Sequence, residues 1–299
     1  MARNHLKAVV IGAGLFAIAA CSAQPDEPRP EPPLGPVPVI QVDADVTFPL
    51  DGYLISPERR ATVRKGQDLL VQKCLRRFGF EMELPDREAD QVRGRVIGVV
   101  DDAEVAKYGY SDPETLESVH KAEQIRKDQK PWPEEMVAVL NGRGQNASKK
   151  GDVPQGGCAG EAQRALGLAS QSVDKPGDEN FVIALSRDST KLTEEDSRLK
   201  GAWGKWSACM KEAGYDYADP WGPNGEKKFG GDDASPEEIA TARADVACRK
   251  KHDVNGIWVA VRTAYQNRLI EDNADALKQH QNRIDEQVRK ATEVVSAKK

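Results

Sequence analysis

Four cysteines constrain this chain more than any other feature. Cys74, Cys158, Cys209 and Cys248 follow Cys21 in a chain of 299 residues. An even set of spaced cysteines in an exported protein reads as two disulfides, with three conceivable pairings. A repeated motif chooses among them. Cys74-Leu-Arg-Arg-Phe-Gly79-Phe80 and Cys209-Met-Lys-Glu-Ala-Gly214-Tyr215 share a cysteine, a Leu or Met, three further residues, a glycine and an aromatic ring. The glycine suits a left-handed helix C-cap. Each motif is followed by a second cysteine in a helical context. This pattern predicts an ancient duplication, with Cys74 paired to Cys158 and Cys209 to Cys248. The first module then carries an insertion of roughly 45 residues relative to the second, because Cys74 and Cys158 stand farther apart than Cys209 and Cys248.

Composition fits a helical reading. Charged residues make up 30% and aromatic residues 6% of the chain, so the core is thin for its length and two disulfides have stabilising work to do. The expected fold is mainly α: a disulfide-stapled helical domain of two related helix–Cys–Gly–aromatic modules with a long C-terminal helix. Without Arg3 and Lys7 the chain has 41 basic against 48 acidic residues, a balance that argues against nucleic acid as partner.

The N-terminus carries an address. Arg3 and Lys7 precede and open an apolar run from Ala8 to Ala20, and Ile18-Ala19-Ala20-Cys21 has the form of a bacterial lipobox. The run is too short to span a bilayer, which takes ~18 apolar residues or more, and it matches a signal peptide. The expectation is cleavage before Cys21 and lipidation of Cys21, placing the protein on the outer face of the cytoplasmic membrane. Cleavage after Ala23 would instead release a soluble secreted form. Gly12, Gly14 and Ala17 mimic a dinucleotide fingerprint, but no strand–helix–strand unit surrounds them, and no cofactor is expected.

Residues 1–20 thus read as the signal peptide, 21–48 as a proline-rich stalk, 49–188 as the first module, and 189–299 as the second module with the C-terminal helix. Seven of the fourteen positions from Pro25 to Pro38 are proline, which favours an extended polyproline II spacer. Val39 to Pro49 has room for one or two short strands. Ser56-Pro57-Glu58 and Ser235-Pro236-Glu237 are helix starts, with Ser as N-cap and Pro in the first turn. Further helices are expected near Pro113–Lys127, Pro133–Leu140, 159–171 and 178–187, and another opening at Thr193-Glu194-Glu195-Asp196. A continuous helix is expected from Asn255 to Val295. Its second half repeats apolar or small residues at Ile270, Ala274, Leu277, Ile284, Val288, Ala291 and Val295. Such a heptad spacing serves either packing along the chain's own domain or a coiled-coil arm that makes a homo-oligomer.

Candidate chemistry is sparse. No nucleophile elbow, zinc-protease helix or phosphate loop occurs. The cysteines lack the close pairs of a zinc site, and Asp216, Asp219, Asp232 and Asp233 lack calcium-loop spacing, so no metal site is expected. His120, His252 and His280 stand in charged surroundings and are expected to be solvated. Glu194, Glu195, Glu237 and Glu238 sit where helix dipoles favour acids. The concentrated feature is aromatic: Trp203, Trp206, Tyr215, Tyr217, Trp221 and Phe229 fall within 27 residues. Trp203 and Trp206 are expected to pack over the second disulfide. Tyr217 and Trp221, in a Gly/Pro loop, are the expected exposed anchors for a glycan, peptide or protein, with Trp203 beside them.

The lipobox, the Ser-Pro-Glu-Arg helix start, the Cys–Gly–Phe motif, Lys107-Tyr108-Gly109-Tyr110 and the run from Val153 to Ala162 around Cys158 resemble a family of secreted proteins and lipoproteins of Streptomyces-like actinobacteria with no assigned activity. The resemblance implies an accessory role at the cell envelope, beside peptidoglycan-binding proteins and ABC exporters. The resulting expectation is a non-catalytic binding protein with an envelope protein or peptidoglycan as partner. The alternatives are an envelope hydrolase or transferase using carboxylates, and a structural spacer.

Overall fold

A computed structural model describes residues 29–83, 95–128, 130–143, 151–168, 180–231 and 233–297. The chain divides into Met1–Glu31 and Pro32–Lys299. Of the first unit only residues 29–31 are described; they are exposed and carry neither helix nor strand. Cys21 and the signal segment therefore lie outside the described residues.

The second unit is helical, with no strand among the described residues. Its helices are α1 (Pro57–Arg77), α2 (Asp102–Tyr108), α3 (Pro113–Asp128), α4 (Glu134–Asn141), α5 (Gly157–Leu166), α6 (Phe181–Glu195), α7 (Ser197–Glu212), α8 (Pro236–Lys251), α9 (Val254–Asp272) and α10 (Ala274–Ser296). Both serine caps form as expected: Ser56 Oγ accepts from the Arg59 amide and Ser235 Oγ from the Glu238 amide.

The duplicated motif is visible in the backbone. Gly79 N–H donates to the Arg76 carbonyl and Phe80 N–H to Leu75; Gly214 N–H donates to Lys211 and Tyr215 N–H to Met210. Both glycines are left-handed, at φ 84° and 94°, so two helices end in the same Schellman arrangement. The disulfides are Cys74–Cys158 and Cys209–Cys248, with Cα separations of 5.5 and 5.7 Å. The likeness stops at the second cysteine. Cys158 opens α5, whereas Cys248 lies near the end of α8, so the two modules repeat their first helix and cap but present the partner cysteine from opposite helix ends.

Each disulfide sits in its own core. Cys74 and Cys158 are buried with Leu75, Phe78, Met136 and Val139; Cys248 is buried with Trp206, Met210 and Val254. Along the other side α10 packs on α1 and α5, and α9 on α6 and α7. Gly66 of α1 meets α10 so closely that a Cβ there would lie 2.9 Å from the Ala291 Cβ.

Several sequence expectations about the fold need correction. The segment 32–48, assigned to the stalk, belongs to the folded unit. Pro32 is buried and its carbonyl accepts from Arg198 (2.8 Å), and Val46 and Phe48 enter a core with Trp258. The strands expected over 39–49 are 3-10 turns at Asp43–Asp45 and Pro49–Tyr53 instead. Thr193, Glu194 and Glu195 end α6 rather than opening a helix, and Asp196 caps α7 by accepting from the Arg198 amide. Finally, the long helix is broken. Asn273 at φ −122° and ψ 21° separates α9 from α10, its side-chain amide donating to the Leu269 carbonyl at 2.7 Å.

The inward face of α10 is Leu277, His280, Ile284, Gln287 and Ala291. It has the expected heptad period, but the same unit covers it: α1 and α5 along most of its length, and Leu50, Phe181 and Leu185 around Leu277. Ala274 and Gln281 face solvent, and His280, expected to be solvated, is 3% exposed. Gln287 donates to the Gly167 carbonyl at the end of α5 (3.0 Å). Leu277 is fully buried, so Leu277→Ala is expected to cost about 2–5 kcal/mol in denaturant unfolding.

Candidate functional site

The aromatic residues picked out by sequence separate into three roles. Trp206 is core: it has no exposed surface and its Nε1 donates to Asp245 Oδ1 at 2.7 Å. Trp203 is half-buried and bridges the second disulfide cluster and the Phe48–Trp258 cluster. Tyr217 is also half-buried. Its carbonyl accepts from Ser207 Oγ at 2.6 Å and its hydroxyl reaches Glu226 at 3.4 Å. Burial and the neighbouring Glu226 carboxylate push the Tyr217 phenol above its ordinary range. Neither Trp203 nor Tyr217 is an exposed anchor.

Trp221 is no fully exposed anchor either, but it differs in lining a cleft. It is half-buried against Trp258, with ring centres 6.3 Å apart and planes at 72°. Its Nε1 is buried without an oxygen acceptor among the described residues, as are Trp258 Nε1 and Arg262 Nε. All three belong to one stack, in which the Arg262 guanidinium lies 4.5 Å from the Phe48 ring and 4.9 Å from Trp258. Aromatic faces are the weak acceptors such a stack offers. Because the indole N–H is turned inward, the part of Trp221 left uncovered is carbon.

That uncovered part lines a cleft of about 300 Å³ with Arg95, Gly98, Val99, Tyr110, Asp112, Thr115, Pro220, Asn224 and Arg249. Residues 95–101 and the turn 219–224, which runs into a 3-10 turn at Pro223–Gly225, form two walls, and Tyr110, Asp112 and Thr115 a third. Neither of the first two has a sheet to satisfy its backbone, so side chains supplement the turn bonds. Asp43 accepts from the Val96 and Ile97 amides at 2.9–3.0 Å. Asn255 donates to the Val99 carbonyl at 3.3 Å, and Asp219 accepts from the Trp221 amide at 2.9 Å.

Arg249 joins these two walls. Its Nη1 donates to the Ile97 carbonyl (3.0 Å) and Asn255 Oδ1 (3.1 Å), and its Nη2 to the Pro220 carbonyl (2.9 Å). Nε donates to Asp245 Oδ1 at 2.6 Å. Arg249 is 4% exposed and Asp245 fully buried, so the ion pair is of the kind in which each charge depends on the other. Tyr110 adds a third donor, its hydroxyl 3.3 Å from Asp245 Oδ2. Burial and the Asp245 carboxylate raise the Tyr110 phenol far above its ordinary range, keeping it a protonated donor.

Glu238, one of the paired carboxylates seen in the sequence, turns away from its own cap. It is buried and accepts from the Tyr110 amide (3.0 Å) and the Gly230 amide (3.2 Å), fixing the backbone of Tyr110, which lines the cleft. Glu194 is raised by burial and then by Asp219, but neither residue lines the cleft. No group of three or more His, Cys, Asp or Glu among the described residues has metal-binding geometry. Asp232 lies outside the described residues.

Of the site residues, sequence reasoning missed Arg95, Asp112, Thr115, Asn224 and Arg249. Arg249 opens Arg249-Lys250-Lys251, which reads as charge complementing the end of a helix. Nothing local marks it as buried.

These features define a disulfide-stapled helical domain, without strands among the described residues, that has an arginine-braced cleft beside a tryptophan. The chain matches no family model, and no curated protein or solved structure is significantly similar to it.

Proposed function

We propose that the protein is a lipid-anchored, non-catalytic binding protein of the cell envelope, and that the Trp221 cleft is where it contacts its ligand. The observation that carries the reading is the cleft itself: a half-buried indole showing carbon, framed by polar side chains, on walls pinned by the buried Arg249 and the half-buried Asp43. A rigid frame around an aromatic anchor is how a site binds without losing much freedom on binding.

The two disulfides point to an oxidising, extracytoplasmic location. No described helix is long and apolar enough to cross a membrane, so the lipobox at Cys21 supplies the anchor in this reading. The tether is Cys21 to Glu31 rather than the full proline-rich segment, because the folded unit begins at Pro32.

Metabolic labelling with a fatty-acid probe is expected to mark the wild-type protein and not Cys21→Ala, which should also keep its signal peptide and run larger. Equal labelling of the two, or none of the wild type, would count against the lipid anchor. Crosslinked pull-down from whole envelopes is expected to recover a partner with the wild-type protein and lose it with Trp221→Ala. Recovery that is indifferent to Trp221 would remove the cleft from the function.

A further inference from the structure

We propose that the Trp221 cleft takes a neutral saccharide ring, an inference that rests on the cleft being the binding site. Three properties select that ligand class: charge, surface and size.

The cleft contains two arginines, yet it is not an anion site. Arg249 is paired to Asp245, and Arg95 is paired to Glu104 while its Nη1 donates to the Tyr110 carbonyl at 3.0 Å. Asp112 on the rim adds a further carboxylate. Phosphates and carboxylates therefore meet no surplus positive charge, and the whole chain is acidic, at −5.

The surface is divided. Trp221 provides the accessible carbon, since Val99 and Pro220 are buried in the walls, while Asn224, Thr115 and Asp112 stand around it with donors and acceptors. Thr115 Oγ1 already donates to Asp112 at 2.6 Å, so its lone pairs remain to accept a ligand hydroxyl, and the exposed Asn224 amide both donates and accepts. A pyranose matches this division, with C–H groups on one face and hydroxyls around its edge. A flat aromatic ligand would match it less well. The second ring in the cleft, Tyr110, is buried and already stacked on Phe229 at 5.9 Å, so it cannot close a sandwich over Trp221. A peptide adding as a strand needs a sheet edge, and no strand exists among the described residues. The volume, about 300 Å³, suits a small ligand.

The test is isothermal titration of the full chain with maltotriose, cellotriose, mannotriose and triacetylchitotriose, with adenosine monophosphate and inorganic phosphate as charged controls. Saturable binding of at least one sugar in the millimolar range or tighter is expected, and neither control should bind. Trp221→Ala should weaken that binding about tenfold or more, Trp221→Phe should keep most of it, and Asn224→Ala should weaken it severalfold. Because Trp221 also packs on Trp258, Asn224→Ala and Trp221→Phe carry the test if Trp221→Ala unfolds. The proposal is overturned if no sugar saturates, or if Asn224→Ala and Trp221→Ala leave sugar binding unchanged. Trp221-dependent binding of the nucleotide alone would overturn the saccharide class and keep the cleft. Loss of every Trp221-dependent signal, in titration and envelope pull-down alike, would overturn both.

Discussion

Asp245→Ala is expected to destabilise the protein by about 3–5 kcal/mol, because it strands the Arg249 guanidinium in the interior. Asp245 accepts from Arg249, Trp206 and Tyr110, so three donors lose their acceptor at once. Denaturant unfolding followed by helical circular dichroism measures the loss. The effect should reach beyond stability. Arg249 holds the Ile97 and Pro220 carbonyls in place, so both of these walls of the cleft should loosen. Amide exchange over 95–101 and 219–224 should rise more than over α1 and α10, which share no contact with the pair. A cost below about 1 kcal/mol would mean that water reaches Arg249 and that the network is not the brace described above.

Breaking the disulfides should have effects of similar size, and unequal ones. The bridges close loops spanning 84 and 39 residues, which in the chain-entropy model are worth about 4.6 and 3.9 kcal/mol. Each bridge is also the centre of a core, so each double alanine variant loses packing as well. Cys74→Ala/Cys158→Ala is expected to melt lower than Cys209→Ala/Cys248→Ala, and wild-type protein in reductant lower than either. Peptide mapping without reductant should return Cys74 with Cys158 and Cys209 with Cys248. A Cys74–Cys209 peptide would overturn both the pairing and the duplication. Only loss of the second bridge should also disturb ligand binding, because Cys248 lies beside Arg249 on α8.

Much of the helical layout was legible. The signals were local: a serine followed by proline, or a glycine five residues after a cysteine, determines hydrogen bonds that close within one turn. The Arg59 amide reaches Ser56 and the Tyr215 amide reaches Met210 without any distant residue. The duplicated cap was therefore readable, and with it the pairing. The amphipathic period of α10 was readable too, though not whether another helix of the same unit would cover it.

The errors fall where the partner is remote. Proline content suggested a free spacer over 32–48, but Asp43 of that segment satisfies amides 53 and 54 residues away, and Phe48 packs on Trp258. Composition carries no record of such contacts. The break at Asn273 has no Pro or Gly to announce it. His280 read as solvated because its sequence neighbours are polar, while its helical neighbours at Leu277 and Ile284 are core.

The sequence by itself determined the helical class, the two staples and the position of Trp221 in a Gly/Pro loop, since each depends on residues within a turn or on a repeated local pattern. Tertiary structure alone decided that Trp221 borders a cleft while Trp203 and Tyr217 pack inward. The reason is Arg249, whose hydrogen bonds span 152 residues to Ile97 and 29 to Pro220. A guanidinium can gather carbonyls from separate segments only after the chain has brought them together, and no pattern of neighbouring residues encodes that meeting.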